Sequence, residues 1–235
     1  LVLCSCLMGN SSLIHALSKN SDVEVLCASP EIMMGSNPTS FIEHLADPKF
    51  SNSSASEFAQ FLVDDVSQAP SSPGGSLQTH HADTYGAYRI DKAKGERFQQ
   101  ALSSFFEACL ANPKDASAVK RAIDACPTYG RNPWMNLNFN IFERDIIQVA
   151  ERIAGDARVQ SKEIKKACRE LVEATSDQVL LQKATEKYQD RRGPTLYLPV
   201  DRFSYDKEYS KTDLLQSTPY ERFLEMVFDA KIHRD

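Results

Sequence analysis

The amino-acid sequence predicts an α/β fold with a mostly parallel sheet and a large helical segment. Two short apolar runs, Leu1–Cys6 and Val23–Ala28, are bounded by turn residues, which is typical of buried parallel strands. Between them, Leu13, Ile14 and Leu17 fall on one face of a helix. A strand, a helix and a second strand in this order form a right-handed crossover, so the two strands should be parallel neighbours.

Length and composition are those of a globular protein with a full hydrophobic core. Of the 235 residues, 42% are hydrophobic and 25% are charged, which fits one large domain or two small ones. The net charge of −5 gives no general attraction to nucleic acid. No long, uninterrupted apolar run is present, so the sequence predicts no membrane span.

The character of the sequence changes in the middle of the chain, where helices are interrupted by Ser, Asn and Pro. A short helix is predicted around Ser40–Leu45 and a longer amphipathic helix around Ser54–Val66. Residues 67–83 include a run rich in Ser, Pro and Gly and are predicted to be a flexible loop. Thr84–Ile90 then resembles a strand, and Asp91 is a good cap for the helix that follows.

The second half is predicted to be mainly helical. Apolar residues recur at helical spacing through most of residues 92–189, which we expect to form a helical layer. Thr195–Val200 is predicted to be a third strand. A final helix is predicted over Tyr220–Asp229, with Pro219 near its first position.

The cysteines are predicted to be mostly free thiols. The chain has six of them: Cys4, Cys6, Cys27, Cys109, Cys126 and Cys168. They form no CxxC pair and have no metal-ligand spacing. In a chain of this size, that pattern does not indicate a disulfide framework.

Cys6 is the candidate reactive residue, because the first predicted strand ends there and a helix begins shortly afterwards. In α/β proteins, binding and catalysis occur outside the carboxyl ends of the strands. The second strand ends at Ser29–Glu31, so these residues should be neighbours of Cys6. A thiol near a helix N-terminus sees partial positive charge, which favours the reactive thiolate. The alternative is a buried core cysteine, since free cysteine is among the most buried residue types.

Several segments together resemble the clostripain-like cysteine peptidases of the caspase–legumain–gingipain fold group. The run Cys6–Gly9 is similar to the nucleophile segment of that family, and Ala28–Glu31 looks like the turn that ends its next strand. Gly193–Pro199 and Ser217–Leu224 are similar to its closing strand and helix. The resemblance is scattered along the whole chain, with weak helical stretches between these segments.

The resemblance implies a three-layer α/β/α caspase-like fold, with residues 1–235 as the C-terminal, nucleophile-bearing portion of one peptidase domain. It also implies hydrolysis of a protein or peptide substrate by a Cys–His dyad in which Cys6 is catalytic. The chain begins without Met and inside a predicted strand, so we expect the N-terminal part of the fold to lie upstream.

The histidine partner is expected upstream as well. In the family it precedes a glycine at a strand end, and none of the five histidines here has that context: His15, His44, His80, His81 and His233. The resemblance therefore implies a light chain or N-terminal segment that carries the histidine. The alternative is a catalytically inactive relative that binds proteins or peptides.

Cys4, Ser29 and Glu31 are the candidate substrate-binding residues. Family members usually have Asp two residues before the nucleophile, where it helps to bind Arg or Lys of the substrate; here that position is Cys4. Glu31 is either a substitute acid in the pocket or a solvated turn residue.

No cofactor is expected. Some relatives use Ca²⁺, and four acidic residues follow the third strand: Asp201, Asp206, Glu208 and Asp213. Their spacing matches no standard calcium loop, and basic residues are interleaved with them. A mixed-charge surface is therefore the favoured interpretation.

Overall fold

The computed structural model describes residues 1–3, 5–31, 46–68, 84–129, 131–132, 137–138, 142–184 and 188–231. Its helices are α1 (Ser11–Asn20), α2 (Ala55–Gln68), α3 (Lys92–Ala111), α4 (Ala116–Asp124), α5 (Ile146–Gly155), α6 (Lys162–Ser176), α7 (Lys207–Ser210), α8 (Asp213–Gln216) and α9 (Tyr220–Asp229). Its strands are β1 (Val25–Ala28), β2 (Thr84–Arg89), β3 (Arg131–Asn132), β4 (Leu137–Asn138), β5 (Glu143–Asp145), β6 (Val179–Ala184) and β7 (Thr195–Tyr197). Short 3-10 helices cover Pro48–Phe50 and Pro113–Asp115.

Local sequence signals set three helix starts. Asn10 caps α1, because its Oδ1 accepts a hydrogen bond from the Leu13 N–H at 2.9 Å. Asp91 caps α3 in the same way, accepting from the Lys94 N–H at 2.9 Å. Helix α9 begins directly after Pro219, as predicted.

The central sheet is organised around β1. One edge of β1 pairs antiparallel with β2, with Val25 opposite Arg89, and β2 pairs antiparallel with β6. The start of the chain also pairs with β1, through a parallel bridge between Val2 and Cys27. The segments before and after α1, which were predicted to be parallel neighbours, are therefore paired in parallel at this bridge.

A second sheet of β5 and β7 joins this one through the first ten residues. β5 and β7 are antiparallel, with Asp145 opposite Thr195. A parallel bridge connects Asn10 to Thr195, and the Thr195 N–H donates to the Gly9 carbonyl at 3.0 Å. The first ten residues thus link the two sheets.

The expected mostly parallel sheet needs correction. Within the described ranges, all ladders between named strands are antiparallel, and parallel pairing occurs only at the bridges of Val2 and Asn10. The direction of β2 depends on where the chain returns to the sheet after the long connection that follows β1. No periodicity within β2 itself encodes that direction.

The central sheet is covered by a helix on each face, which confirms the three-layer α/β/α architecture. Successive residues of a strand point to opposite faces. On one face, residues of α2 pack against the sheet and form the α2-face cluster: Val25, Cys27, Ala59, Leu62, Val63, Tyr85 and Ala87. Against α1 lies the α1-face cluster of Ile14, Leu26, Ala28, Tyr88 and Ile90.

A third, larger core joins the helices of the second half to β7. It includes the aromatic residues Phe98, Phe105, Phe106, Tyr197, Tyr220 and Phe223. The rings of Phe106 and Phe223 lie 4.7 Å apart, so α3 and α9 are in direct contact. In the part of the chain that the structure describes, no helix is both long and apolar enough to cross a membrane.

In its described part, the predicted helical stretch 92–189 contains four strands that the prediction did not include: β3, β4, β5 and β6. β6 follows α6 and pairs with the edge of β2. A six-residue helix would be marginal by itself, whereas a strand there gains ladder hydrogen bonds from a strand already in place. Tertiary context therefore overrides the local pattern.

Three further predictions fall wholly or partly outside the described residues. The helix expected around 40–45 lies outside them, as does Cys4. Of the predicted loop 67–83, the first two residues belong to α2 and residues 69–83 lie outside the described ranges. The amphipathic helix around 54–66 and the strand from Thr84 are confirmed as α2 and β2.

Gly9 occupies a position where the backbone leaves no room for a side chain. A Cβ atom built there would lie 2.7 Å from Pro30 N and 3.0 Å from the Ser29 carbonyl carbon. We expect Gly9→Ala to lower the free energy of unfolding by about 1–3 kcal/mol, the usual cost of overpacking, in urea titrations.

Gly155→Ala is the matched control. Gly155 lies in the last turn of α5, and a Cβ there would meet nothing within 4 Å. This variant should be neutral or up to about 1 kcal/mol more stable, because alanine favours the helix. Equal effects of the two substitutions would contradict the packing argument.

Candidate active site

The chain reverses direction at Cys6, beyond the carboxyl end of β1. After the turn, the Leu7 N–H donates to the Glu31 carbonyl at 3.2 Å, and the Gly9 N–H donates to the Ser29 carbonyl at 2.9 Å. The half-buried Cys6 therefore lies beside the segment that follows β1. This is the neighbourhood predicted for Cys6 from the strand ends.

Leu7 has a backbone conformation that is unusual for a residue with a side chain. Its φ angle is 62°, in the left-handed region. The Leu7 carbonyl accepts a hydrogen bond from Asn10 Nδ2 at 2.8 Å, so the side chain that caps α1 also fixes the turn. Left-handed backbone costs roughly 1–2 kcal/mol for such a residue and persists where surrounding contacts hold it.

Cys6 and His15 belong to opposite faces of the sheet. Cys6 packs against the α2-face cluster. His15 is buried on α1, which covers the other face, and its Nε2 lies 3.6 Å from Asp213 Oδ2. Burial lowers the pKa of His15, and the nearby Asp213 carboxylate partly opposes this. His15 is therefore not placed as a proton-transfer partner for Cys6; the other four histidines lie outside the described residues.

Ser29 is completely buried and stabilises the turn after β1. Its hydroxyl lies 2.7 Å from the Thr84 carbonyl and 2.9 Å from the Glu31 carbonyl. The same oxygen accepts the Glu31 N–H at 3.1 Å. Ser29 therefore binds backbone groups on two segments next to Cys6.

Glu31 is buried rather than solvated. Only 2% of it is exposed, and its Oε2 lies 3.6 Å from Nη1 of Arg191, itself 5% exposed. The interpretation of Glu31 as a solvated turn residue is thus wrong. A carboxylate this deep needs a positive partner, and Arg191 supplies it from within the protein.

Arg191 is held between two tyrosine rings. Its guanidinium carbon lies 4.1 Å from the ring centre of Tyr129 and 4.2 Å from that of Tyr188. Nη2 also donates to the Thr128 carbonyl at 3.3 Å. A planar guanidinium suits this arrangement, because it stacks on aromatic faces while its edge donates hydrogen bonds.

Asp145 fixes the backbone that follows Arg191. Its Oδ2 accepts the N–H groups of Arg192 at 2.6 Å and Gly193 at 2.7 Å, and its Oδ1 caps α5 through the Gln148 N–H at 2.9 Å. Burial raises the pKa of Asp145, and these N–H donors oppose the rise. The turn before β7 is therefore attached to the start of α5.

Solved structures with the same arrangement of elements are cysteine proteases. The chain is similar to a Bacteroides fragilis cysteine protease (TM-score 0.58, 16% identity, 98% of this chain and 89% of that chain). It is similar to a clostripain from Bacteroides thetaiotaomicron ATCC 29148, in complex with the peptide inhibitor BTN-VLTK-AOMK (TM-score 0.51, 13% identity, 93% and 86%). The chain has the fold of the clostripain-like cysteine proteases.

A third similar structure is a secreted C11 cysteine protease from Bacteroides thetaiotaomicron, in complex with an irreversible peptide inhibitor. Its TM-score is 0.56 at 13% identity, over 94% of this chain and 58% of that one. No protein-family model and no curated protein sequence matches the chain. At these identities the similarity concerns the fold, which is the caspase-like fold that the sequence segments predicted.

The buried cysteines of this clostripain-like fold are poorly suited to act as nucleophiles. Burial raises the pKa of Cys27 to about 11 and the pKa values of Cys126 and Cys168 to about 12. It also raises the pKa of Cys109 well above its ordinary value. A thiol that holds its proton is a weak nucleophile. Cys6 differs from these four in being only half-buried.

The acidic residues after β7 do not converge on a metal ion. Asp201 accepts the Ser204 N–H, Asp206 caps α7, and Glu208 is paired with Lys211. Among the described residues, no group of three or more His, Cys, Asp or Glu side chains could hold a metal. The favoured interpretation of a mixed-charge surface fits these contacts.

Sequence reasoning missed the residues that hold the Cys6 turn from the second half of the chain. Neither Arg191 nor Tyr129 stands in a sequence pattern that indicates a role near Cys6. Glu143 and Asp145 fell inside the predicted helical stretch. A buried glutamate after β1 does require a cation, but nothing in the sequence says which of the 27 Lys and Arg residues supplies it.

Glu143 is a buried carboxyl in the sheet next to the site. It lies on β5 and interacts with Thr195, whose N–H binds the Gly9 carbonyl. Burial raises its pKa from 4.5 to about 7, and the nearby Thr195 side chain partly opposes the rise. Between these values the unfolded chain releases the proton and the folded chain keeps it. The free energy of unfolding should therefore fall as pH rises from 4.5 to about 7.

Glu143→Gln should remove this contribution. We expect the variant to gain stability relative to the parent protein as pH rises, with the full gain above pH 7 and little difference near pH 4.5. Urea unfolding at a series of pH values measures the difference. Glu170→Gln removes the same charge from an exposed position on α6 and serves as the control. A Glu143→Gln difference that does not change with pH would contradict the assignment.

Proposed function

We propose that this chain is the nucleophile-bearing part of a clostripain-like cysteine endopeptidase. The observation that carries the proposal is the position of Cys6, at a half-buried turn beyond the carboxyl end of β1 and just before α1. The four described cysteines that are fully buried have raised pKa values, so Cys6 is the best nucleophile candidate among the described thiols. The similar folds of three cysteine proteases support the same reaction class.

The reaction would proceed through a thioester. The Cys6 sulfur bonds to the carbonyl carbon of the scissile peptide, the C–N bond breaks, and a histidine gives its proton to the leaving amine. Water then attacks the thioester as the histidine removes its proton. The C–S bond breaks, which releases the carboxylic product and restores the Cys6 thiolate. The histidine is proposed to come from an upstream segment or light chain.

The negative oxygen formed during attack needs hydrogen-bond donors. The N–H groups of Leu7 and Gly9 already donate to carbonyls of the segment after β1. Other N–H groups near Cys6 are therefore proposed to stabilise this oxygen. The role of Leu7 and Gly9 is to keep the turn in place.

Substrate recognition is proposed to involve Cys4, Ser29 and Glu31, with separate roles. Cys4 occupies the position where the family usually has Asp. Ser29 and Glu31 are buried, so they shape the wall next to Cys6 rather than reach into solvent. Because Arg191 already compensates the Glu31 carboxylate, we expect a weaker preference for basic substrate residues than an uncompensated acid would give.

Labelling by an irreversible peptidyl inhibitor tests the nucleophile. The chain together with its upstream segment should be labelled at Cys6 faster than a free model thiol, because the site binds the peptide next to the thiol and supplies the histidine. Cys6→Ala should abolish labelling and peptide hydrolysis. Peptide mapping by mass spectrometry identifies the modified residue.

Cys168→Ala is the control for this experiment. Cys168 is a completely buried thiol in the helical core, with a pKa raised to about 12, so its removal should leave labelling unchanged. If Cys6 reacts no faster than a free thiol, the chain is not a cysteine peptidase. The inactive, peptide-binding relative would then be the better interpretation.

Replacing Cys4 by Asp tests substrate preference. Cys4→Asp should increase cleavage after Arg or Lys, relative to a neutral residue, by about tenfold or more, since a hydrogen bond to a charged group contributes about 1.5–3 kcal/mol. Paired peptides that differ only at the residue before the scissile bond give the ratio of kcat/KM values. Cys4→Asn is the uncharged control, and equal ratios for Asp and Asn would contradict this role of Cys4.

A further inference from the structure

We propose that Arg191 is a positioning residue for Cys6, acting through Glu31 and Leu7. The inference rests on the proposed function, because it concerns the same nucleophile. It adds a residue from the second half of the chain that is too deeply buried to contact a substrate. Three consecutive contacts carry it.

The first contact makes Arg191 a fixed point. Tyr129 and Tyr188 lie on its two sides at 4.1 and 4.2 Å, and the Thr128 carbonyl accepts from its Nη2 at 3.3 Å. Its backbone is also held, since the Arg191 N–H donates to the Tyr188 carbonyl at 2.9 Å and its carbonyl accepts from Gln182 Nε2 at 3.3 Å. The guanidinium is therefore bound at its faces and its edge, with little freedom to move.

The second contact is the ion pair through which Arg191 holds the side chain of Glu31. The ion pair of 3.6 Å joins two side chains that are each at most 4% exposed. Both side chains are shielded from water, and at 3.6 Å these two atoms are held by charge attraction rather than by a hydrogen bond. Ser29 binds the backbone of Glu31 at both its N–H and its carbonyl.

The third contact reaches the nucleophile. The Glu31 carbonyl accepts the N–H of Leu7, the residue after Cys6 and the one with a φ angle of 62°. A conformation that is unfavourable by itself needs outside support. Displacement of Glu31 would remove part of that support and let the turn relax, which would move the Cys6 sulfur.

A role in stability alone does not account for the pair. Desolvation of two buried charges offsets most of their attraction, and well-packed apolar residues often serve stability equally well. A buried ion pair does fix the relative position of its two side chains. Here the pair fixes Glu31, whose backbone carbonyl binds the residue that follows the candidate nucleophile.

Inhibitor kinetics with the chain and its upstream segment test the inference. The maximal inactivation rate and the inhibitor concentration at half that rate are measured separately with an irreversible peptidyl inhibitor. Arg191→Gln should lower the maximal rate about 10- to 100-fold, the usual effect of a small misplacement of a reacting group, with little change in the half-maximal concentration. Arg191→Lys keeps the charge but loses the stacked plane, so its rate should be intermediate.

Arg192→Gln is the matched control. Arg192 is the next residue, its side chain is 57% exposed and pairs with Glu151 on the surface, and its substitution removes the same charge from the same turn. Its inactivation rate should equal that of the parent protein. Thermal unfolding of every variant separates a loss of folded protein from slower chemistry.

The outcomes are distinguishable. If the parent protein is not labelled at Cys6, the proposed function fails and this inference with it. If the parent is labelled and folded Arg191→Gln reacts at the same maximal rate, only the inference is overturned. Where Arg191→Gln does not fold, Arg191→Lys and Glu31→Gln carry the test: reduced maximal rates support the inference, and unchanged rates overturn it.

Discussion

The close approach of Gly9 to Ser29 and Pro30 is the constraint on which the arrangement depends. The Gly9 N–H binds the segment after β1, while its carbonyl binds the Thr195 N–H at the start of β7. One residue without a side chain thus joins both sheets. The consequence for Cys6 is direct: the chain must reverse between its parallel bridge to β1 and Gly9, and Cys6 lies at that reversal.

Buried charge is the second organising feature around this turn. Glu31, Glu143 and Asp145 are each at most 5% exposed, and each is accommodated differently. Glu31 is compensated by Arg191, Asp145 by backbone N–H donors, and Glu143 by a pKa raised to about 7. These solutions follow the rule that a buried acid must be paired, hydrogen-bonded or neutral.

The features that sequence predicted correctly are local ones. The Asp91 cap and the helix after Pro219 both depend on residues within a few positions of each other, where side-chain chemistry and periodicity decide the outcome. The antiparallel direction of β2 and the conversion of Val179–Ala184 to a strand depend on contacts with distant segments. The partner of Glu31 is equally non-local, which is why the sequence could not exclude the solvated alternative for that residue.

Local and distant determinants act together on Cys6 and its surroundings. The place of Cys6 is set directly by backbone hydrogen bonds of adjacent segments, and that is consistent with a shared fold at 13–16% identity. The charge of the surrounding wall instead depends on particular side chains, such as Glu31 and the distant Arg191. A compensated Glu31 contributes little attraction to a substrate cation, because the guanidinium beside it repels the same cation. Substitutions far from Cys6 in sequence can therefore alter the charge around it as well as the position of its sulfur.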